Sequence, residues 1–186
     1  MANLTSLVFK KAPNNTAIVW KNVEITYDNL LSRIVKCSQF LIENDIKPGQ
    51  VTALKGDFTP NTIAFLVALI NNQNIIVPFN NPMKDSEMSK FEIASVQKTI
   101  KVNLRTDDYE LENTNFNGVH EFYEILRNLK TSGLVLFSSG TSGDPKAAVH
   151  NFSKLLNKFK TPRNSLRTIN FLLFDHWGGL NTLLHT

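Results

Sequence analysis

Apolar residues along the chain recur with two different periods, and these periods predict alternating strands and helices. Short continuous apolar runs are typical of buried strands, whereas spacings of three and four residues are typical of helices. The predicted strands are 17–20, 23–26, 51–54, 75–78, 99–102, 134–137 and 168–174. The predicted helices are 27–44, 61–71, 85 or 86 to 96, 119–130, 152–160 and 177–185. This alternation predicts an α/β fold with a largely parallel sheet flanked by helices on both faces.

Local signals mark several of these boundaries. Lys21-Asn22 predicts a hairpin turn, and Thr26 has the side chain of a helix cap. Thr59-Pro60 predicts another helix start, because Thr caps well and Pro fits the first helical position. The helix over 61–71 is apolar on nearly every side, so we expect it to be deeply buried. Residues 105–118 are polar and weakly patterned, which predicts a surface loop.

Composition and charge narrow the class of protein. With 42% hydrophobic and 19% charged residues, the chain of 186 residues can bury a core and is not typical of disorder. The net charge of +4 is modest, and the basic residues are scattered. They are densest over 154–167, with Phe152 just before this stretch and Phe159 within it. We interpret that stretch as a solvated helix face rather than a nucleic-acid surface, so no nucleic-acid partner is expected.

The single cysteine and the amino terminus indicate the compartment. Cys37 excludes an internal disulfide, and it lies in step with the apolar positions of the helix over 27–44, which predicts a core residue. The first ten residues do not read as a signal peptide. The longest apolar run, 63–70, is too short to span a bilayer. We therefore expect a cytoplasmic protein with no membrane span.

The most informative segment, 134–150, reads LVLFSSGTSGDPKAAVH. Small residues after a buried strand let many N–H and O–H donors approach one anion, and a lysine adds positive charge. The candidate phosphate-binding residues are Ser138, Ser139, Gly140, Thr141, Ser142, Gly143 and Lys146. The segment is not a Walker loop, because Gly140 and Gly143 are separated by two residues rather than four. A flexible Gly/Ser hairpin between two strands is the alternative interpretation.

Ser138 to Lys146 resemble the phosphate-binding signature of the adenylate-forming (AMP-binding) enzymes: acyl-CoA synthetases, nonribosomal peptide adenylation domains and luciferases. That signature, Ser/Thr-Ser/Thr-Gly-Thr-Thr/Ser-Gly-x-Pro-Lys, is matched position by position, and only Ala147 departs, where Gly is usual. Further segments of the same family are resembled by residues 25–30, 46–51 and 77–80. The segment 77–80, Val-Pro-Phe-Asn, resembles the family's Val-Pro-Leu-Asn. The resemblance spans roughly 17–186 and implies the N-terminal subdomain of the adenylate-forming fold.

A second polar cluster lies further along the chain, where residues 171–180 read FLLFDHWGGL. Open α/β sheets place ligand contacts at strand ends of this kind. The resemblance implies that His176 lies beside the acyl carboxylate, which makes it the candidate catalytic residue. Trp177 with Gly178 and Gly179 is the candidate wall of an acyl pocket, with room left by the glycines. His150 resembles a frequent family histidine, and we expect its role to be structural.

The resemblance implies a reaction in two steps. A carboxylic acid attacks the α-phosphate of ATP to form an acyl-adenylate, and the acyl group then passes to a thiol of CoA or of a carrier-protein phosphopantetheine. The carboxylate is already the nucleophile, so positioning and charge stabilisation matter more than a general base. Mg²⁺ is expected to offset the polyphosphate charge. No metal site formed by side chains is expected.

The family's adenine motif, ribose motif, hinge and late catalytic lysine are not found in these 186 residues. Residues 1–186 are therefore expected to be an incomplete N-terminal part of an AMP-binding domain that lacks the C-terminal subdomains. By themselves they are expected to be inactive, and Lys146 does not correspond to the late lysine.

Two other classes of function stay open at the level of sequence. A stand-alone nucleotide-binding or assembly module would keep the fold and the loop without catalysis. A different phosphate-loop NTPase or kinase would need a Mg²⁺-binding aspartate on an adjacent strand end, and Asp175 is the candidate.

Overall fold

The structure is a computed structural model that describes residues 13–80, 87–138, 145–159, 161 and 167–185. Its strands are β1 (Thr16–Trp20), β2 (Val23–Thr26), β3 (Val51–Lys55), β4 (Ile75–Phe79), β5 (Lys98–Val102), β6 (Tyr109–Asn113), β7 (Gly133–Ser138) and β8 (Lys146–Asn151). Its helices are α1 (Tyr27–Glu43), α2 (Pro60–Asn71), α3 (Glu87–Ile93), α4 (Glu121–Asn128), α5 (Phe152–Leu156) and α6 (Trp177–His185). A 3₁₀ turn, Asn157–Phe159, follows α5.

A mixed sheet of six strands forms the centre, in the order β6-β5-β3-β4-β7-β8. The four middle strands run parallel, while β6 and β8 pair antiparallel at the two edges. Helices cover both faces: α1, α2 and α6 contribute to one buried cluster, and α3 and α4 contribute to the other. This confirms the predicted α/β class and the largely parallel sheet. It also brings the carboxyl ends of β3, β4, β5 and β7 to one edge, called the carboxyl edge below.

The local signals for helix starts are confirmed. The Thr26 hydroxyl accepts from the Asn29 N–H at 3.2 Å, and the Thr59 hydroxyl accepts from the Thr62 N–H at 3.3 Å. Each bond satisfies one of the N–H groups that the first turn leaves without a helical partner. Ten of the 12 residues of α2 are buried, as its uniform apolarity predicted. The hairpin of β1 and β2 turns through Lys21 and Asn22, both at positive φ.

Two predicted elements are wrong. The polar stretch 105–118 contains the edge strand β6, whose outward side is charged because it faces solvent; Glu110 there pairs with Lys101 at 2.8 Å. The strand predicted over 168–174 is not one, since 167–176 has no regular structure. Ile169 and Phe171 are 84% and 83% exposed, so their apolarity does not reflect burial in a sheet.

Other differences concern boundaries. α3, α4 and α5 are shorter than predicted, and positive φ at Ser95 and Lys130 stops the chain from continuing as a helix beyond α3 and α4. The predicted cap of α3, at 85 or 86, and residue 160 lie outside the described residues. β8 was not among the predicted strands. Its small residues, Ala147 and Ala148, gave no strong strand signal.

Candidate active site

The candidate phosphate loop connects two paired strands at the carboxyl edge. Ser138 ends β7, Lys146 begins β8, and the two residues face each other in the last rung of the antiparallel ladder. Both are exposed. The predicted residues between them, Ser139 to Gly143, lie outside the described residues. The hairpin interpretation is therefore right about the flanking strands, and it is compatible with anion binding because Ser138 and Lys146 stand side by side at the loop's base.

The neighbouring strand brings a further polar residue to the same place. β4 pairs parallel to β7, with Ile75 opposite Gly133 and Ile76 opposite Leu134. Continued along both strands, this register puts Asn80 level with Ser138. The rings of Phe79 and Phe137, one residue earlier on each strand, lie 6.2 Å apart and support that placement.

Asn80 joins the end of β4 to the polar segment 174–176. Its amide Nδ2 donates to Asp175 Oδ1 at 2.5 Å, and its Oδ1 accepts from the Phe174 N–H at 3.1 Å. Nδ1 of His176 lies 2.8 Å from the same Asp175 Oδ1. The side chain of Asp175 is 20% exposed and that of His176 is 58% exposed. This Asn80–Asp175–His176 cluster is thus anchored on the protein side and open to solvent on the histidine side.

Side-chain packing and backbone hydrogen bonds hold the segment 174–176 in place. Phe174 is fully buried and meets the ring of Phe58 edge to face at 5.4 Å. The His176 N–H donates to the Leu173 carbonyl at 3.2 Å, and the Leu180 N–H donates to the His176 carbonyl at 3.3 Å. The turn therefore leads directly into α6, and rotation of its side chain is the main freedom left to His176.

Gly179 allows α6 to approach this turn. A Cβ at Gly179 would lie 2.3 Å from the Leu173 carbonyl oxygen and 3.0 Å from the ring of Phe58. The space beside Gly179 is therefore filled by protein, and the prediction that this glycine leaves room for an acyl group is wrong. Gly178 is exposed, and a Cβ there would meet only the end of Leu172 at 3.3 Å. The ammonium group of Lys158 lies over the ring of Trp177, with Nζ 4.6 Å from the ring centre.

Two other predicted assignments can be located. His150 lies inside β8 opposite Leu134, away from the loop end of that strand, as suits a structural residue. Cys37 is buried in α1, which confirms it as a core residue. The pKa of Cys37 is raised to about 12, mainly by burial and to a smaller extent by the Asp107 carboxylate. The charge of Arg33 has the opposite effect and lowers it. A thiol held in its protonated form is a poor nucleophile.

Among the described residues, no group of three or more His, Cys, Asp or Glu side chains could hold a metal ion. The same part of the chain contains no helix long and apolar enough to cross a membrane. Sequence reasoning singled out His176 and Asp175 but missed Asn80 as a site residue. Its position directly after a buried parallel strand was the available signal.

Comparisons with known proteins agree on the fold. No protein-family model matches the chain. The curated relative "Zwittermicin A synthase ZmaJ" from Bacillus cereus is 20% identical over 160 residues, which cover 81% of this chain and 30% of the relative.

Among solved structures, the N-terminal subdomain of NpsA from Klebsiella oxytoca, in complex with anthranilyl-AMSN, is 19% identical with a TM-score of 0.59. The match covers 80% of this chain and 40% of that one. o-Succinylbenzoate CoA synthetase (MenE) from Bacillus subtilis, in complex with the acyl-adenylate intermediate OSB-AMP, is 13% identical with a TM-score of 0.69. That match covers all of this chain and 53% of MenE.

The chain therefore has the fold of the N-terminal subdomain of adenylate-forming enzymes. It spans between 30% and 53% of the length of these three relatives. NpsA has also been solved as an artificially fused adenylation–PCP di-domain.

Proposed function

We propose that residues 1–186 form the N-terminal part of the AMP-binding domain of an ATP-dependent carboxylate ligase. The ligase joins a carboxylic acid to AMP and passes the acyl group to a thiol. One observation carries the proposal: the base of the signature loop, at Ser138 and Lys146, and the anchored cluster with His176 belong to one edge of the sheet. The structures of NpsA with anthranilyl-AMSN and of MenE with the acyl-adenylate intermediate OSB-AMP support it, because both proteins share this fold.

The residues divide the work between the two substrates. Ser138 to Gly143 offer N–H and O–H donors to the β- and γ-phosphates of ATP, and Lys146 adds a positive charge. His176 orients the acid beside the α-phosphorus. A carboxylate oxygen then bonds to that phosphorus, and the bond to pyrophosphate breaks. Because the nucleophile arrives ionised, no protein base is required for this step.

Mg²⁺ fits the site as a companion of the phosphates. The ion is expected to arrive with ATP, because Mg²⁺ usually binds through substrate phosphates with only one or two protein ligands. Bound there, it would neutralise charge on the pyrophosphate leaving group. Ser138, which is exposed at the base of the loop, would offer a hydroxyl to such an ion.

The acceptor of the acyl group is a thiol, either of CoA or of a carrier-protein phosphopantetheine. MenE is a CoA synthetase, and NpsA has been solved as an artificial fusion of an adenylation domain with a PCP domain, so both acceptors are candidates. Pyrophosphate release followed by thioester formation, with CoA and carrier protein offered separately, would identify the acceptor.

The test of the phosphate site is a matched pair of lysine variants. Lys146→Ala is expected to weaken ATP binding by about tenfold, the effect of losing one charge-assisted contact. Lys154→Ala removes a lysine on α5 that is also exposed and should leave the dissociation constant for ATP unchanged. Equal dissociation constants for both variants and the wild type would refute the phosphate site.

Catalysis is tested by carboxylate-dependent pyrophosphate release from the full-length protein. The 186 residues alone are expected to give none. Robust turnover by them would show that expectation wrong. ATP binding without any dependence on a carboxylic acid in the full-length protein would instead favour a non-catalytic nucleotide-binding module.

A further inference from the structure

We propose that Asp175, itself held by Asn80, is a positioning residue that commits Nδ1 of His176 to the protein and leaves Nε2 for the substrate. The role of His176 rests on the proposed function. The hydrogen-bond assignment that follows rests on geometry alone.

The orientation of the Asn80 amide follows from its two partners. Its one end faces the Phe174 N–H, which can only donate, and its other end faces Asp175 Oδ1. The amide oxygen must therefore face Phe174 and the amide nitrogen must face Asp175. Turned over, Asn80 would set N–H against N–H and oxygen against oxygen.

The tautomer of His176 follows in turn. Asp175 Oδ1 has the Asn80 amide at 2.5 Å and His176 Nδ1 at 2.8 Å. An oxygen that accepts from the amide and carries no proton can only accept from the ring as well. Nδ1 must then carry a proton. In the neutral ring the lone pair lies on Nε2, and in the charged ring Nε2–H remains available.

This arrangement gives the ring a fixed direction. The backbone of His176 is hydrogen-bonded to Leu173 and Leu180, and the hydrogen bond to Asp175 restricts the rotation of its side chain. Asn80 follows β4, the strand beside the signature loop, and is connected to His176 through Asp175. The Nε2 atom is therefore oriented by the sheet itself rather than by an unsupported surface turn.

The chain provides an internal control. His120 caps α4, where its Nδ1 accepts from the Phe122 N–H at 3.2 Å. The neutral ring of His120 must therefore carry its proton on Nε2, the opposite of His176. Long-range ¹H–¹⁵N NMR spectra of the ¹⁵N-labelled 186-residue chain distinguish the two tautomers in one sample. The result expected is Nδ1–H for His176 and Nε2–H for His120.

The variant that removes the acceptor is Asp175→Ala. Losing a hydrogen bond to a partly exposed carboxylate should lower the ratio of the Nδ1–H to the Nε2–H tautomer by about tenfold at His176. The spectrum of His120 should not change. Asp175→Asn keeps an acceptor oxygen without its charge and should give an intermediate ratio. The wild-type spectrum decides the assignment even if Asp175→Ala does not fold.

Two outcomes overturn the proposal: Nε2–H as the main tautomer of His176 in the wild type, or an unchanged ratio in a folded Asp175→Ala. Pyrophosphate release from the full-length protein separates the tautomer assignment from the proposed function. A higher KM for the carboxylic acid in Asp175→Ala, partly restored in Asp175→Asn, supports both. A shifted tautomer with unchanged kinetics overturns the positioning role, while carboxylate-dependent turnover still upholds the ligase.

Discussion

Two clusters in this molecule use similar chemistry and differ in exposure. In the first, Asp107 accepts from Arg33 Nη1 at 3.0 Å and from the backbone N–H of Asn61 at 3.0 Å. The Asn61 amide in turn donates to the Asp107 carbonyl at 2.7 Å. In the second, Asp175 bonds with Asn80 and His176. Each cluster therefore combines an aspartate, an asparagine and a basic side chain from distant parts of the chain.

Exposure separates their roles. The Asp107 side chain is 6% exposed and its Arg33 partner 30%. The carboxylate is therefore buried, and this first cluster is called the closed cluster. Its bonds tie α1, the start of α2 and the turn before β6 together. The Asp175 cluster ends in His176, which is 58% exposed and has a ring nitrogen directed away from the carboxylate. A closed network can only stabilise the fold, whereas an open one can also bind a ligand.

The largest expected effect tests the closed cluster. Arg33→Met leaves the Asp107 carboxylate buried without its cation, and we expect a loss of about 3 kcal/mol in the free energy of unfolding. Urea unfolding followed by circular dichroism measures it. Lys101→Met is the control, because its partners Glu110 and Glu112 are both exposed and the expected loss is below about 1 kcal/mol. Similar losses in the two variants would contradict the distinction between the clusters.

The next effect tests whether packing holds the open cluster in place. Gly179→Ala forces a Cβ against the Leu173 carbonyl. We expect the free energy of unfolding to fall by about 2 kcal/mol, as is usual for overpacking. Gly178→Ala should be neutral or slightly stabilising, because its Cβ meets only a flexible leucine end. Thermal unfolding of the pair shows the difference. Equal melting temperatures would mean that α6 does not need this close approach.

A smaller effect concerns the pH dependence of stability that Cys37, a neighbour of the closed cluster, should produce. The pKa of Cys37 is raised to about 12 in the folded chain, whereas the unfolded thiol titrates near its ordinary value. Because the folded chain holds the thiol proton more tightly, this group contributes to stability at pH values below the pKa of the unfolded thiol. That contribution is lost as the pH rises toward the pKa of the folded chain. We expect a decrease of about 1 kcal/mol in unfolding free energy between pH 8 and pH 10.

Cys37→Ala provides the control for that pH dependence, since it should flatten the decrease while lowering stability at every pH. Tyr123 has a pKa raised to about 12 by burial, and its contribution is lost at higher pH than that of Cys37. Burial raises the pKa values of Tyr27 and Tyr109 as well. The part of the slope that Cys37→Ala removes therefore reports on the thiol. An equal slope in wild type and Cys37→Ala would contradict the assignment.

The smallest expected effect on stability belongs to His176, the residue for which we propose a role in orienting the acid. His176→Ala removes an exposed ring and should change the free energy of unfolding by no more than about 0.5 kcal/mol. In the full-length protein, carboxylate-dependent pyrophosphate release should fall. A variant with a lowered melting temperature and unchanged pyrophosphate release would make His176 a structural residue and remove the contrast between the clusters.

The sequence by itself determined the class of fold and most of its elements. The caps at Thr26 and Thr59, the buried run of α2 and the strand that ends at Ser138 all depend on interactions within a few residues, so local patterns suffice to find them. The signature loop was found in the same way, from the order of its residues.

Only the tertiary structure decided which segments meet. β6 is a strand because β5 lies beside it, and the apolar residues of 168–174 are not a strand, although their local pattern favours one. Asn80 reaches Asp175 across 95 positions of the chain. The space beside Gly179 is taken by a carbonyl six residues away. Strand pairing and side-chain contacts depend on the partner that the fold supplies, and no local periodicity specifies that partner.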